Sequence, residues 1–137
     1  QLRGCIGLTA AVEPLYETVS YCALQAAFSD PRFNPVTADE MKDIKIEISV
    51  LTPLQKVNAL DEIQVGRDGL MISRGMYRGL LLPQVATEYG WDRETFLRET
   101  CRKAGLPDDA YLSKDALIQK FQAIVFNEEK QGFRLVP

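Results

Sequence analysis

From Ile44 to Val50 the sequence alternates without a break, with Ile44, Ile46, Ile48 and Val50 on one parity and Lys45, Glu47 and Ser49 on the other. A period of two is the pattern of a strand with one covered face. The chain is therefore committed to a sheet, with Ile44–Leu51 as its clearest strand and Thr52-Pro53 as the stop.

Helical signals interleave with that strand. Pro14 suits a first helical turn, and Val12, Leu15, Val19, Cys22, Ala23 and Ala26 recur at three-to-four spacing. This predicts a helix with a buried stripe, ended by Asp30-Pro31. Thr37 and Glu40 have capping-box spacing. Asp92 is a good N-cap for a helix through Ala104, with Phe96, Leu97, Thr100, Cys101 and Ala104 inward and Gly105-Leu106-Pro107 as its stop. Gln1–Ile6 reads as a strand running into Gly7. Gly66-Arg67-Asp68-Gly69, flanked by Ile63–Val65 and Leu70–Ile72, carries a hairpin signal. Tyr77–Leu82 is a short strand stopped by Pro83. Leu117, Ile118, Phe121, Ile124 and Val125 fit a helix, whereas Phe121, Ala123 and Val125 fit a strand. Irregular alternation of helices, strands and hairpins predicts an α+β fold.

Composition narrows the chemistry. The 137 residues contain no histidine, so this chain offers no His general base, no Ser-His-Asp or Cys-His relay and no HExxH zinc site. The length suits one domain with a real core. Lys and Arg number 16 against 19 Asp and Glu, a formal charge of −3. That balance argues against nucleic acid as a partner, although Arg67, Arg74 and Arg78 form a local basic cluster. Three cysteines without a CxxC pair argue for reduced thiols in a cytoplasmic compartment. No segment has the ~20 apolar residues of a membrane span. The start on Gln1, inside an apolar segment, predicts that further sequence precedes it.

Arg3-Gly4-Cys5 is the most pointed candidate site. A thiolate is the reactive form of cysteine, and an arginine two residues away on a strand would stabilise it. The bland alternative is a small apolar cysteine at a glycine-flanked strand end. Glu47 is either a covered carboxylate paired with Lys45, Arg3 or Arg32, or an exposed strand residue; Ser49 points the same way. Arg32 is either an anion holder or a bridge back to Asp30 at the helix stop. Tyr89-Gly90-Trp91 is expected to anchor the next helix. Metal-ligand, P-loop, GxGxxG and GxSxG patterns are missing, and the sequence names no cofactor.

Taken together, these segments resemble the AMMECR family, whose prokaryotic members are called AmmeMemoRadiSam system protein A. Leu2-Arg3-Gly4-Cys5-Ile6-Gly7 matches its LRGCIG hallmark. In order follow Asp30-Pro31-Arg32-Phe33, Ile46–Pro53, Gly66 with Gly69-Leu70, Leu81–Ala86 with Glu88 and Trp91, and Phe96-Leu97 with Cys101 and Lys103–Leu106. The resemblance covers residues 1–127, leaving 128–137 as a charge-rich peripheral tail. It implies a curved, barrel-like antiparallel sheet with packed helices, a strand around Lys120–Phe126, and a domain extending N-terminally beyond Gln1. It also implies a pathway shared with Memo-type and radical-SAM proteins, but no established activity. Many relatives carry His in the Gly-x-His-Gly-Leu turn where this chain has Asp68.

Two functional expectations follow. In the first, the protein is an enzyme or enzyme subunit, with Cys5 as nucleophile or redox thiol, Arg3 as its electrostatic partner and Glu47 as acid/base. Arg32, Asp68 and Ser49 would then be subsidiary substrate contacts. In the second, it is a binding module that docks a partner through the LRGCIG segment, with nucleic-acid association as a weaker alternative.

Overall fold

The structure is a computed structural model that describes residues 1–128; the expected tail beyond Glu128 lies outside the described residues. The element order is α1 (Leu15–Phe28), a 3-10 turn (Ala38–Lys42), β1 (Glu47–Leu51), β2 (Gln55–Lys56), β3 (Gly69–Arg74), β4 (Tyr77–Leu81), α2 (Pro83–Tyr89), α3 (Arg93–Lys103), β5 (Leu117–Phe121) and β6 (Ala123–Asn127), with two further short 3-10 turns. The fold is α+β, as expected. A four-stranded antiparallel sheet has the order β2-β5-β3-β4, and β1 pairs with β6 in a second sheet. The four-stranded sheet is open, with β2 and β4 at its edges, rather than closed into a barrel.

The described residues divide into two compact units, 1–48 with 126–128, and 49–125. In residues 49–125, Leu70, Ile72 and Ile118 from the sheet and Phe96, Leu97 and Cys101 from α3 bury against one another. Burial pushes the Cys101 thiol pKa up, as befits an inert core thiol. A Cβ at Gly79 would overlap the backbone at Lys103 and Ala104, so this glycine lets the end of α3 lie directly on β4. Asp92 caps α3 by accepting the Thr95 amide at 2.8 Å.

In residues 1–48, α1 runs over Leu15–Phe28, close to expectation, but contributes no fully buried residue. Val19, Cys22 and Ala26 are half-buried, while Val12, Leu15 and Ala23 are exposed. The Glu40 carboxylate accepts the Thr37 amide at 3.0 Å, completing the expected cap.

Several expectations are corrected. Gln1–Ile6 is irregular rather than a strand, because side chains take both main-chain groups of Cys5. The strand expected from Ile44 begins only at Glu47: Glu40 O accepts the Ile44 amide, and Glu128 accepts that of Ile46. Gly66–Gly69 does not join two strands, since 63–65 are not a strand; the hairpin turn lies instead between β3 and β4, at Gly75 (φ 60°). The C-terminal apolar run is neither one helix nor one strand but β5 and β6, separated by Gln122. α2 ends on Gly90, whose φ of 67° is left-handed, and Tyr89 then stacks on Trp91 at 5.0 Å. Trp91 packs against the core, as expected, while Tyr89 stays exposed.

Candidate functional site

Gly4 sets the path of the LRGCIG segment. A Cβ there would overlap the Ala26 carbonyl, so the segment lies backbone to backbone against α1. Nothing comparable restrains Gly7, around which a Cβ would find open space.

One residue on, Cys5 is clamped at both main-chain groups. Its amide donates to Asp30 Oδ2 at 2.9 Å, and its carbonyl accepts Arg32 Nη2 at 2.8 Å. Asp30 in turn accepts the Arg32 amide at 3.1 Å, Arg32 Nε at 3.0 Å and Arg32 Nη2 at 2.7 Å. Four hydrogen bonds fill the acceptor capacity of a carboxylate, and the Asp30 side chain is almost wholly buried. The Arg32 guanidinium, followed by the Cys5 amide, holds the Asp30 carboxyl well below the usual carboxylate range despite desolvation. The same pairing raises the pKa of Arg32. Arg32 thus bridges back to Asp30, and it also stands 5.5 Å from the Phe33 ring centroid.

Arg3 does not face Cys5. Its Nη2 is shared between Glu40 Oε1 and Oε2 at 3.0 and 3.1 Å, with a longer contact to Asn34 O at 3.3 Å. Glu40 therefore both caps its 3-10 turn and holds Arg3, and its pKa is lowered, chiefly by Arg3. The cation nearest the Cys5 backbone is Arg32, a pairing that sequence spacing, which favoured Arg3, did not show. The signal was the Asp-Pro-Arg order, since Asp30 is placed to orient Arg32. Cys5 is exposed. Glu47 is exposed at the start of β1, and no hydrogen bond or ion pair joins it to Arg3 or Cys5.

Ser49 and Asp68 belong to residues 49–125. Ser49 Oγ accepts Gln84 Nε2 at 3.2 Å, and Gln84 Oε1 is buried without a partner. Asp68 is fully buried and accepts Arg67 Nε at 3.0 Å, Arg67 Nη2 at 2.8 Å and the Gln64 amide at 2.9 Å. Burial is the largest influence on its pKa and acts upward. Arg67, the Gln64 amide and the Lys120 charge together outweigh it and lower the value. Asp68 lines a cavity of about 240 Å3 with Thr52, Pro53, Gln55, Lys120, Phe121 and Gln122. Among the described residues, no group of three Cys, Asp or Glu side chains is placed to hold a metal ion. No described helix is long and apolar enough to cross a membrane.

The fold and the clamped LRGCIG segment define an AMMECR-type α+β domain. The chain belongs to the AMMECR1 family, whose profile matches residues 1–126. It is 51% identical over 133 residues to protein PF1979 of Pyrococcus furiosus, covering 93% of this chain and 63% of that protein. With protein MJ0810 of Methanocaldococcus jannaschii it shares 52% over 134 residues, covering 93% and 67%. The chain thus spans about two-thirds of the length of these relatives. The crystal structure of uncharacterized protein PH0010 from Pyrococcus horikoshii matches with a TM-score of 0.90 at 48% identity, covering 93% of this chain and 65% of that one.

Proposed function

We propose that this protein is a binding module that docks a partner protein through its LRGCIG segment. The clamp on Cys5 carries the reading: Asp30 and Arg32 fix the backbone, Glu40 fixes Arg3, and Leu2, Cys5 and Leu8 remain exposed. A presented, pre-ordered segment loses little conformational entropy on binding. The pathway implied by the family resemblance makes a Memo-type or radical-SAM protein in the cytoplasm the proposed partner. Calorimetry with such a partner tests this. Leu2→Asp and Leu8→Asp are expected to abolish binding while the spectrum of the folded protein is kept. Undiminished binding by both variants overturns the reading.

A second reading, thiol chemistry at Cys5, is favoured by the exposure of this cysteine and by Arg32, which bonds its carbonyl. In it Arg32 replaces Arg3 as the neighbouring cation, and Glu47 is the carboxylate. Its test is the rate of Cys5 alkylation against pH. A rate no faster than that of an unstructured LRGCIG peptide removes it.

A further inference from the structure

We propose that the cavity beside Asp68 is a binding site for a small organic monocarboxylate, anchored by the Lys120 ammonium. Sheet register singles out Lys120. It stands opposite Gln55 on β2 and Leu70 on β3, and directly opposed residues share a face. On β5, Ile118 lies two residues earlier on that same face and opposes Ile72. Leu70, Ile72 and Ile118 are all buried in the core. Lys120, half-buried, therefore continues the row that carries Ile118, where the apolar side chains give way to a cation. Among the described residues its ammonium forms no hydrogen bond or close ion pair, and only its longer-range charge reaches Asp68.

The charges around the cavity then select the ligand. Arg67 and Asp68 neutralise each other in a paired contact, which leaves Lys120 as the surplus charge of the cluster. One carboxylate balances it. A phosphate dianion would want a second free cation or a nest of amides, and Arg67 is already committed. Thr52 Oγ1 accepts the Gln122 amide at 2.8 Å, so its hydroxyl proton is available to donate. Gln55, Gln122, Pro53 and Phe121 complete the lining. The Phe121 ring lies directly on Gly69, where any Cβ would overlap it, which ties β5 closely to the turn that carries Asp68. At about 240 Å3 the volume is below that of drug-sized pockets, about 300–1,000 Å3, and suits a compact acid. Thr52-Pro53 and Asp68, separate features in the sequence, meet at this cavity.

The test is a titration of the isotope-labelled chain with sodium propionate and, in parallel, inorganic phosphate at matched ionic strength, read by amide chemical shifts. Propionate is expected to give saturable shifts at Thr52, Lys120 and Gln122. Lys120→Met should weaken this binding roughly tenfold or more, the worth of a charge-assisted hydrogen bond, and Lys120→Gln serves if the Met variant does not fold. Lys56→Met, which removes an exposed cation from β2, should leave it unchanged. No saturable shift with propionate, saturation by phosphate alone, or equal affinity in the Lys120 variant each overturns the proposal. These amides all belong to residues 49–125, so the result is independent of docking through LRGCIG.

Discussion

Between Ser49 and Val125 a cluster of apolar side chains closes over Phe96, whereas between Gln1 and Ile48 the buried side chains are Val36 and Asp30. The first region is held by apolar area removed from water. The second, among its described residues, relies on two oriented carboxylates, two guanidinium groups and a close backbone contact. Such a network is strong only while every member is present, because removing one partner strands another. The two regions should therefore fail in different ways.

The largest expected effect is in the apolar region. Phe96→Ala should cost about 3–5 kcal/mol, read as a lower urea midpoint. A loss below about 1 kcal/mol would mean that the cluster is not the stabilising element it resembles. Gly69→Ala comes next, since its Cβ would meet the Phe121 ring. Overpacking of this kind costs about 1–3 kcal/mol. In the polar region Gly4→Ala should displace the segment from α1 and speed hydrogen exchange at the Cys5 amide by roughly tenfold or more, the equivalent of one lost hydrogen bond. The smallest effect is expected for Gly7→Ala, within about 0.5 kcal/mol, because nothing lies near its Cβ. Equal responses at Gly4 and Gly7 would break the contrast inside one hexapeptide.

Acid sharpens the same comparison. Asp30 and Asp68 both have folded-state pKa values below the ordinary one of 3.8. Each binds its proton more weakly folded than unfolded, so the stability it contributes is complete above the unfolded value and drains as pH falls toward the folded one. Exchange protection at Cys5 should hold constant above about pH 5 and decline below about pH 4, around the unfolded carboxylate pKa. Asp30→Asn should remove that decline. A decline that persists in Asp30→Asn would place the acid-sensitive group elsewhere.

Patterned elements were legible from the sequence, and partnered ones were not. The Asp92–Ala104 helix was readable because cap, stripe and stop agree. The start of β1 was misread because alternation reports side-chain parity, not who takes the amides, and Glu40 and Glu128 take two of them. Gly66–Gly69 was read as a hairpin because two glycines can serve a turn before a strand as well as one between strands. At the site, Cys5 and Arg32 were visible as candidates, but nearness in sequence favoured Arg3 as the thiol's partner. Glu40, which holds Arg3, lies 37 residues away, and no local pattern announces such a pair. The placement of Lys120 is not legible in the sequence, because it depends on register against Leu70, a non-local fact.

The clamp on Cys5 also limits how anything can approach it. Strand addition recruits a partner through free main-chain donors and acceptors at an edge. At Cys5 the donor is spent on Asp30 and the acceptor on Arg32. An incoming strand would find neither at Cys5, so contact with that residue would run through its side chain. The same arrangement removes Cys5 from any register in which copies of this stretch could pair.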